Sequence, residues 1–138
     1  MAILESLSTA GLIVIKNRKL LLAFSKNKNA WYLPGGKTDP GETSRNALVR
    51  EINEELNIVV DADDLRYYTH ISVQAFGEKV NTIMEQDCFL YDLRQDPKPA
   101  AEIEGLNYFD TTTYSIERAQ VPGVIMVMQQ LKHDGLID

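Results

Sequence analysis

Arg50-Glu51-Ile52-Asn53-Glu54-Glu55 places three carboxylates and a guanidinium within two helical turns, downstream of Glu42 and of the turn-forming run Pro34-Gly35-Gly36. An ideal helix advances about 100° per residue. With Leu48 at zero, Glu54, Glu51 and Glu55 fall at roughly 240°, 300° and 340° on that wheel. Leu48, Ile52, Leu56 and Val49 occupy roughly 0° to 100°. An apolar stripe therefore anchors the helix, and an adjoining stripe gathers the carboxylates. Like charges at this spacing destabilise a helix by a few tenths of a kcal/mol per pair. Arg50 relieves part of that repulsion, and a divalent cation would relieve more. Hard oxygen donors at close quarters suit Mg²⁺ or Mn²⁺, and Mg²⁺ commonly shares its shell with water and substrate phosphates. An acidic helix stripe by itself is ordinarily a solvated face. The Gly-rich entry loop and the fixed spacing set this one apart.

Several elements must hold that helix in place. Thr9–Lys16 reads as a strand, Asn17-Arg18 as a tight turn, and Lys19–Phe24 as the returning strand of a hairpin. Ser25–Asn29 is a polar loop, and Trp31–Leu33 a short extended piece stopped by Pro34-Gly35-Gly36. Residues 43–56 read as the helix, with Thr43 or Ser44 as N-cap and Asn57 at the left-handed terminating position. Leu65–Phe76 and Val80–Leu93 flank Gly77-Glu78-Lys79 and read as an antiparallel pair. Leu106–Phe109 reads as one more strand, and Val124–Lys132 as a closing helix after Pro122-Gly123. Strands, a helix, strands and a helix in that order predict an α/β (α+β) fold, with a mixed sheet carrying helices on its faces. No linker interrupts the pattern, so residues 1–138 are expected to form a single domain.

Composition narrows the function classes. The chain has 138 residues, 44% of them apolar and 25% charged, which supplies a core without staples. The formal charge of −6 disfavours a polymeric nucleic acid as partner. Its distribution is uneven: Lys16, Arg18, Lys19, Lys26, Lys28 and Lys37 stand against Glu5 alone in the first 37 residues. An acidic body thus meets a basic N-terminal segment. The single Cys88 fits a reducing compartment, and the apolar run Leu12–Ile15 is too short to cross a membrane. A soluble cytoplasmic protein, monomer or homodimer, is expected.

Residues 36–58 resemble the Nudix box: Gly, five residues, Glu, seven residues, then Arg-Glu-apolar-any-Glu-Glu-any-Gly-apolar. The match is Gly36, Glu42, Arg50, Glu51, Ile52, Glu54, Glu55 and Ile58, with Asn57 where the family has Gly. Asn tolerates the left-handed conformation, so the departure implies a small cost in stability, not a loss of activity. Leu33-Pro34-Gly35-Gly36 and Gly41-Glu42-Thr43 are similar to the same family. The resemblance implies an α/β/α sandwich with a mixed, mostly antiparallel sheet. It implies hydrolysis, with Mg²⁺ or Mn²⁺, of a nucleoside diphosphate linked to a further moiety.

Carried over by position, Glu51, Glu54 and Glu55 are the implied metal ligands. Arg50 holds the carboxylates, and Glu42 braces the loop or touches the metal through water. The backbone at Gly35 and Gly36 approaches metal or phosphate closely, where a Cβ would obstruct. The general base falls on Glu54, Glu55 or a downstream acid, Glu102 or Glu104, and Glu104 joins the expected catalytic set. Lys26 and Lys28 follow the second strand within reach of substrate phosphates, and Lys26 joins the expected binding set. Trp31, Tyr32 and Phe24 are expected in the core or a pocket wall, and His70 as a satisfied sheet histidine. A small (deoxy)nucleoside triphosphate, as in MutT-like members, is the expected substrate. ADP-ribose, nucleotide sugars and dinucleoside polyphosphates are the alternatives within the enzyme class. A catalytically silent nucleotide-binding module of the same fold is the alternative outside it.

Overall fold

The computed structural model describes residues 4–138, so residues 1–3 of the expected domain lie outside the described residues. Nine residues form the first strand, β1 (Glu5–Ile13), which continues past Val14 into a two-residue strand, β2 (Ile15–Lys16). The predicted Thr9–Lys16 strand is thus two strands, because the chain passes from one sheet to the other at Val14. Asn17 and Arg18 both adopt left-handed backbone (φ 52° and 62°), the turn geometry that matches the twist of a two-residue hairpin. The chain returns as β3 (Lys19–Ser25), followed by β4 (Ala30–Tyr32) and β5 (Gly35–Lys37).

Helix α1 (Ser44–Leu56) starts where Thr43 Oγ1 accepts the Asn46 N–H at 3.1 Å. It ends at Asn57, left-handed at φ 56°. Strands β6 (Arg66–Gln74) and β7 (Thr82–Leu90) pair antiparallel as the sequence predicts. β8 (Ile103–Phe109) begins three residues earlier than expected. The structure adds a short helix, α2 (Thr111–Ser115), whose start Asp110 and Thr113 fix with a reciprocal capping box. The last helix, α3 (Pro122–His133), takes Pro122 at its first turn, where a missing N–H is harmless.

Two four-stranded sheets result. One has the order β5-β1-β7-β6, with β1 parallel to β7 over nine residue pairs and the other pairings antiparallel. In the other, β3 pairs with β2 and β4 on one side and β8 on the other, all antiparallel. Alternation sends neighbouring residues to opposite layers. Ala10, Leu12 and Leu21 pack with Leu48, Ile52 and Leu56 of α1, while Ile13, Leu20 and Leu22 pack with Val124, Val127 and Leu131 of α3. This is the layered helix–sheet–helix arrangement that the sequence predicts. No helix among the described residues is long and apolar enough to cross a membrane.

The loop between β7 and β8 is fixed to the end of α1. Two carbonyls left over at the helix C-terminus, of Leu56 and Glu55, accept N–H groups from Lys98 (2.9 Å) and Ala100 (2.8 Å). Asn57 adds its side-chain amide to the Lys98 carbonyl at 2.9 Å, a bond that glycine could not make. The departure from the family pattern therefore ties down the segment that precedes Glu102.

Candidate active site

Burial of the three helix carboxylates follows their angle from the apolar stripe. Glu55, nearest Leu48 on the wheel, is only 5% exposed. Its Oε1 accepts the Gly35 N–H at 3.0 Å. Burial pushes its carboxyl up to about 8, with the charges of Glu51, Glu102 and Glu54 adding to the rise and the Gly35 bond opposing it. Glu51 is half-buried, and its carboxyl is raised chiefly by burial against the opposing pull of Arg50. Glu54, furthest from the stripe, has an exposed side chain.

Two glycines make this packing possible. Gly35 sits at φ +137°, and a Cβ there would fall 2.1 Å from the Ala10 carbonyl oxygen. A Cβ on Gly36 would fall 2.6 Å from Glu51 Cδ. The β5 backbone thus lies directly against the acidic helix, and the antiparallel pairing of Gly35 and Gly36 with Gly11 and Ala10 holds it there.

Arg50 organises the rim. Its Nε and Nη2 donate to the two oxygens of Glu42, each at 2.9 Å, in a bidentate pair. Nη1 donates to Glu51 at 3.0 Å and approaches Glu54 at 3.4 Å, while Nη2 also reaches the Lys37 carbonyl at 3.0 Å. The guanidinium holds the Glu42 carboxyl down to about 2, helped by the Asp39 N–H. Glu42 is therefore a brace between loop and helix.

Beside the helix lies a cavity of about 360 Å³ that Glu51, Glu55, Gly35 and Gly36 help to line. Glu102 lines it from the loop before β8, with its Oε2 accepting from Asn27 Nδ2 at 3.0 Å. Glu104 does not line it. The β3–β8 register pairs Ser25 with Ile103 and Phe24 with Gly105, so Glu104 is the extra residue of a β-bulge and stands exposed. Lys26 is also outside the cavity and exposed; only its backbone contributes, donating to the Glu102 carbonyl at 3.0 Å. Lys28 does line the cavity, where its Nζ pairs with Glu78 at 2.7 Å. The structure thus brings together Gly35, Gly36, Glu42, Arg50, Glu51, Glu54 and Glu55 and leaves Glu104 and Lys26 apart. The bulge erased the usual alternation, and Gly105 was its one sequence signal.

The donor set fits a divalent cation by its chemistry. It consists of carboxylate oxygens gathered on one side of one helix, which raise one another's proton affinity. Among the described residues, no three His, Cys, Asp or Glu side chains converge as a complete ligand set.

Segments of the chain are similar to known proteins. A segment is 38% identical over 60 residues to an RNA pyrophosphohydrolase of Erythrobacter litoralis, covering 41% of this chain and 37% of that one. Another is 46% identical over 50 residues to a putative 8-oxo-dGTP diphosphatase of Bacillus subtilis, covering 34% of each. The matched segments span 34% to 44% of the curated relatives' own lengths. The crystal structure of a MutT NUDIX hydrolase from Burkholderia pseudomallei shares the fold, with a TM-score of 0.74 at 19% identity, over 92% of this chain and 98% of that one. The NUDIX domain model matches residues 6–123, nearly the whole span from β1 to the start of α3, and on that match the chain belongs to the NUDIX domain family.

Proposed function

We propose that this chain hydrolyses a phosphoric anhydride bond in a nucleoside diphosphate linked to a further moiety, with a (deoxy)nucleoside triphosphate as substrate and the monophosphate as product. One observation carries the reading: Glu51 and Glu55 lie against the Gly35-Gly36 backbone at the edge of a cavity, with Arg50 clamping the rim. Glu51, Glu54 and Glu55 would hold Mg²⁺ or Mn²⁺. The cation supplies neutralisation of pyrophosphate charge and activation of water.

The chain's own residues do the rest. Arg50 and Glu42 fix the carboxylates so that little reorganisation accompanies charge development at phosphorus. Lys28 and Lys37, both at the cavity, add positive charge for the phosphates. Water attacks a phosphorus of the α–β anhydride, its bridging P–O bond breaks with the electron pair leaving on the bridging oxygen, and the nucleoside monophosphate and pyrophosphate are the products. Glu102 faces the same cavity and joins Glu54 and Glu55 as an acceptor of the water's proton. The names of the matched relatives, which include an RNA pyrophosphohydrolase and a putative 8-oxo-dGTP diphosphatase, agree with a nucleotide anhydride as substrate.

A screen for pyrophosphate release, read as phosphate after added inorganic pyrophosphatase, over nucleotides with Mg²⁺ and with Mn²⁺, run beside Glu54→Gln and Glu55→Gln, tests this. The expected result is a loss of at least about 100-fold in rate for one of the two variants. Unchanged turnover in both overturns the mechanism. A parent protein that binds nucleotides but turns none over supports the silent binding module instead.

A further inference from the structure

Gln86 of β7 lines the cavity, across from Thr9 of β1 and Ile71 of β6. It is 8% exposed. Gly11 makes room for it: a Cβ there would fall 3.0 Å from Gln86 Cδ and 3.1 Å from Nε2. Its Oε1 receives a weak contact from the Cys88 thiol at 3.6 Å. Nε2 donates to no acceptor among the described residues. Buried amides normally spend their N–H groups on partners. Here both open onto the cavity, which Leu7, Tyr32, Phe76, Met84 and Ile103 also line. Glu51 and Glu55 line the same cavity. A ligand whose phosphates lie along α1 therefore places its remaining part between apolar walls, with its edge on Gln86.

We propose that Gln86 selects the nucleobase, by donating from Nε2 to an acceptor on the base edge. Guanine and uracil present a carbonyl oxygen where adenine and cytosine present an amine. An amide whose own oxygen is already engaged offers donors, so the oxo bases are accepted and the amino bases disfavoured. This rests on the nucleotide substrate proposed above.

The test is calorimetric binding of GMP, UMP, AMP and CMP without metal, to the parent, Gln86→Met and Gln86→Glu. Hydrolysis of the four triphosphates with Mg²⁺ runs in parallel, and a thermal melt checks each fold. The parent should bind GMP and UMP about tenfold tighter than AMP and CMP, the scale of one well-placed base contact. Gln86→Met should bring each pair within about threefold, and Gln86→Glu, which offers acceptors, should reverse the order. Should Gln86→Met fail to fold, the reversal in Gln86→Glu carries the test. An order of binding unchanged in the folded variants overturns the inference, and hydrolysis by the parent then leaves the proposed function standing. Base-selective binding without hydrolysis does the opposite. A parent that binds none of the four overturns the inference, and the hydrolysis arm alone then decides the proposed function.

Discussion

Two charged clusters lie on the same side of the sheet and differ in almost everything but residue type. At the first, Arg50 gathers Glu42, Glu51 and Glu54 beside the buried Glu55, at the edge of a cavity. At the second, His70 on β6 faces Asp87 and Glu85 on β7, with Nδ1 2.7 Å from Asp87 and Nε2 3.5 Å from Glu85. In the second cluster the side chains are 34% to 44% exposed and water screens most of the charge; His70 hydrogen-bonds Asp87, while Glu85 Oε2 is buried with no hydrogen-bond partner among the described residues. In the first, burial has outrun the available positive charge, so Glu51 and Glu55 are both held above the usual carboxylate range. Residue types alone do not distinguish a site from a solvated patch; the excess of one sign at depth does.

The largest break in that contrast should come from Arg50. Arg50→Ala removes the bidentate hold on Glu42 and the bond to Glu51, and turnover should fall roughly 10- to 100-fold, the usual scale for a group that orients ligands. Arg50→Lys should rescue little, because a point charge cannot reproduce the fork. Steady-state kinetics on both variants decide this, and full activity in either would detach the clamp from the chemistry.

Gly36→Ala comes next. Its Cβ would displace the Glu51 carboxylate, for a loss of about tenfold in activity and about 1–3 kcal/mol in stability by overpacking. Kinetics and urea unfolding read the two effects separately.

A smaller effect sharpens the first cluster. Ala101, just before Glu102, sits at φ 54°, a left-handed position that costs a residue with a Cβ about 1 kcal/mol. Ala101→Gly should raise the unfolding free energy by roughly 0.5–1 kcal/mol in urea titration. A destabilised variant would show that the turn is not strained.

The second cluster should yield the least. The Asp87 hydrogen bond holds the His70 pKa above its ordinary 6.5. A raised folded pKa means that the stabilisation is complete below pH 6.5 and fades as pH climbs through the raised value. His70→Gln should therefore lose less than about 1 kcal/mol at pH 5.5, and still less at pH 8.5, with catalytic rate unchanged. A larger loss at the higher pH would reverse the assigned coupling.

Much of the first cluster was legible in the sequence because a single helix carries it. Leu48, Ile52 and Leu56 gave the helix its inner stripe, Thr43 its start and Asn57 its end. The wheel ordered Glu55, Glu51 and Glu54 by depth. The choice of Glu102 over Glu104 was not legible, since a bulge shifts the strand's alternation by one residue. The parallel pairing of β1 with β7 joins residues far apart in the chain, and no local pattern announces it. The Asn57 bond to Lys98 was hidden for the same reason: position 57 showed that Asn could replace Gly, but not what its amide would hold.

Manganese titration followed by electron paramagnetic resonance tests the central claim most directly. The parent and His70→Gln should bind Mn²⁺ alike, while Glu55→Gln should bind it at least about tenfold more weakly. Equal binding by all three proteins would contradict the assignment of the acidic stripe on α1 as the metal centre.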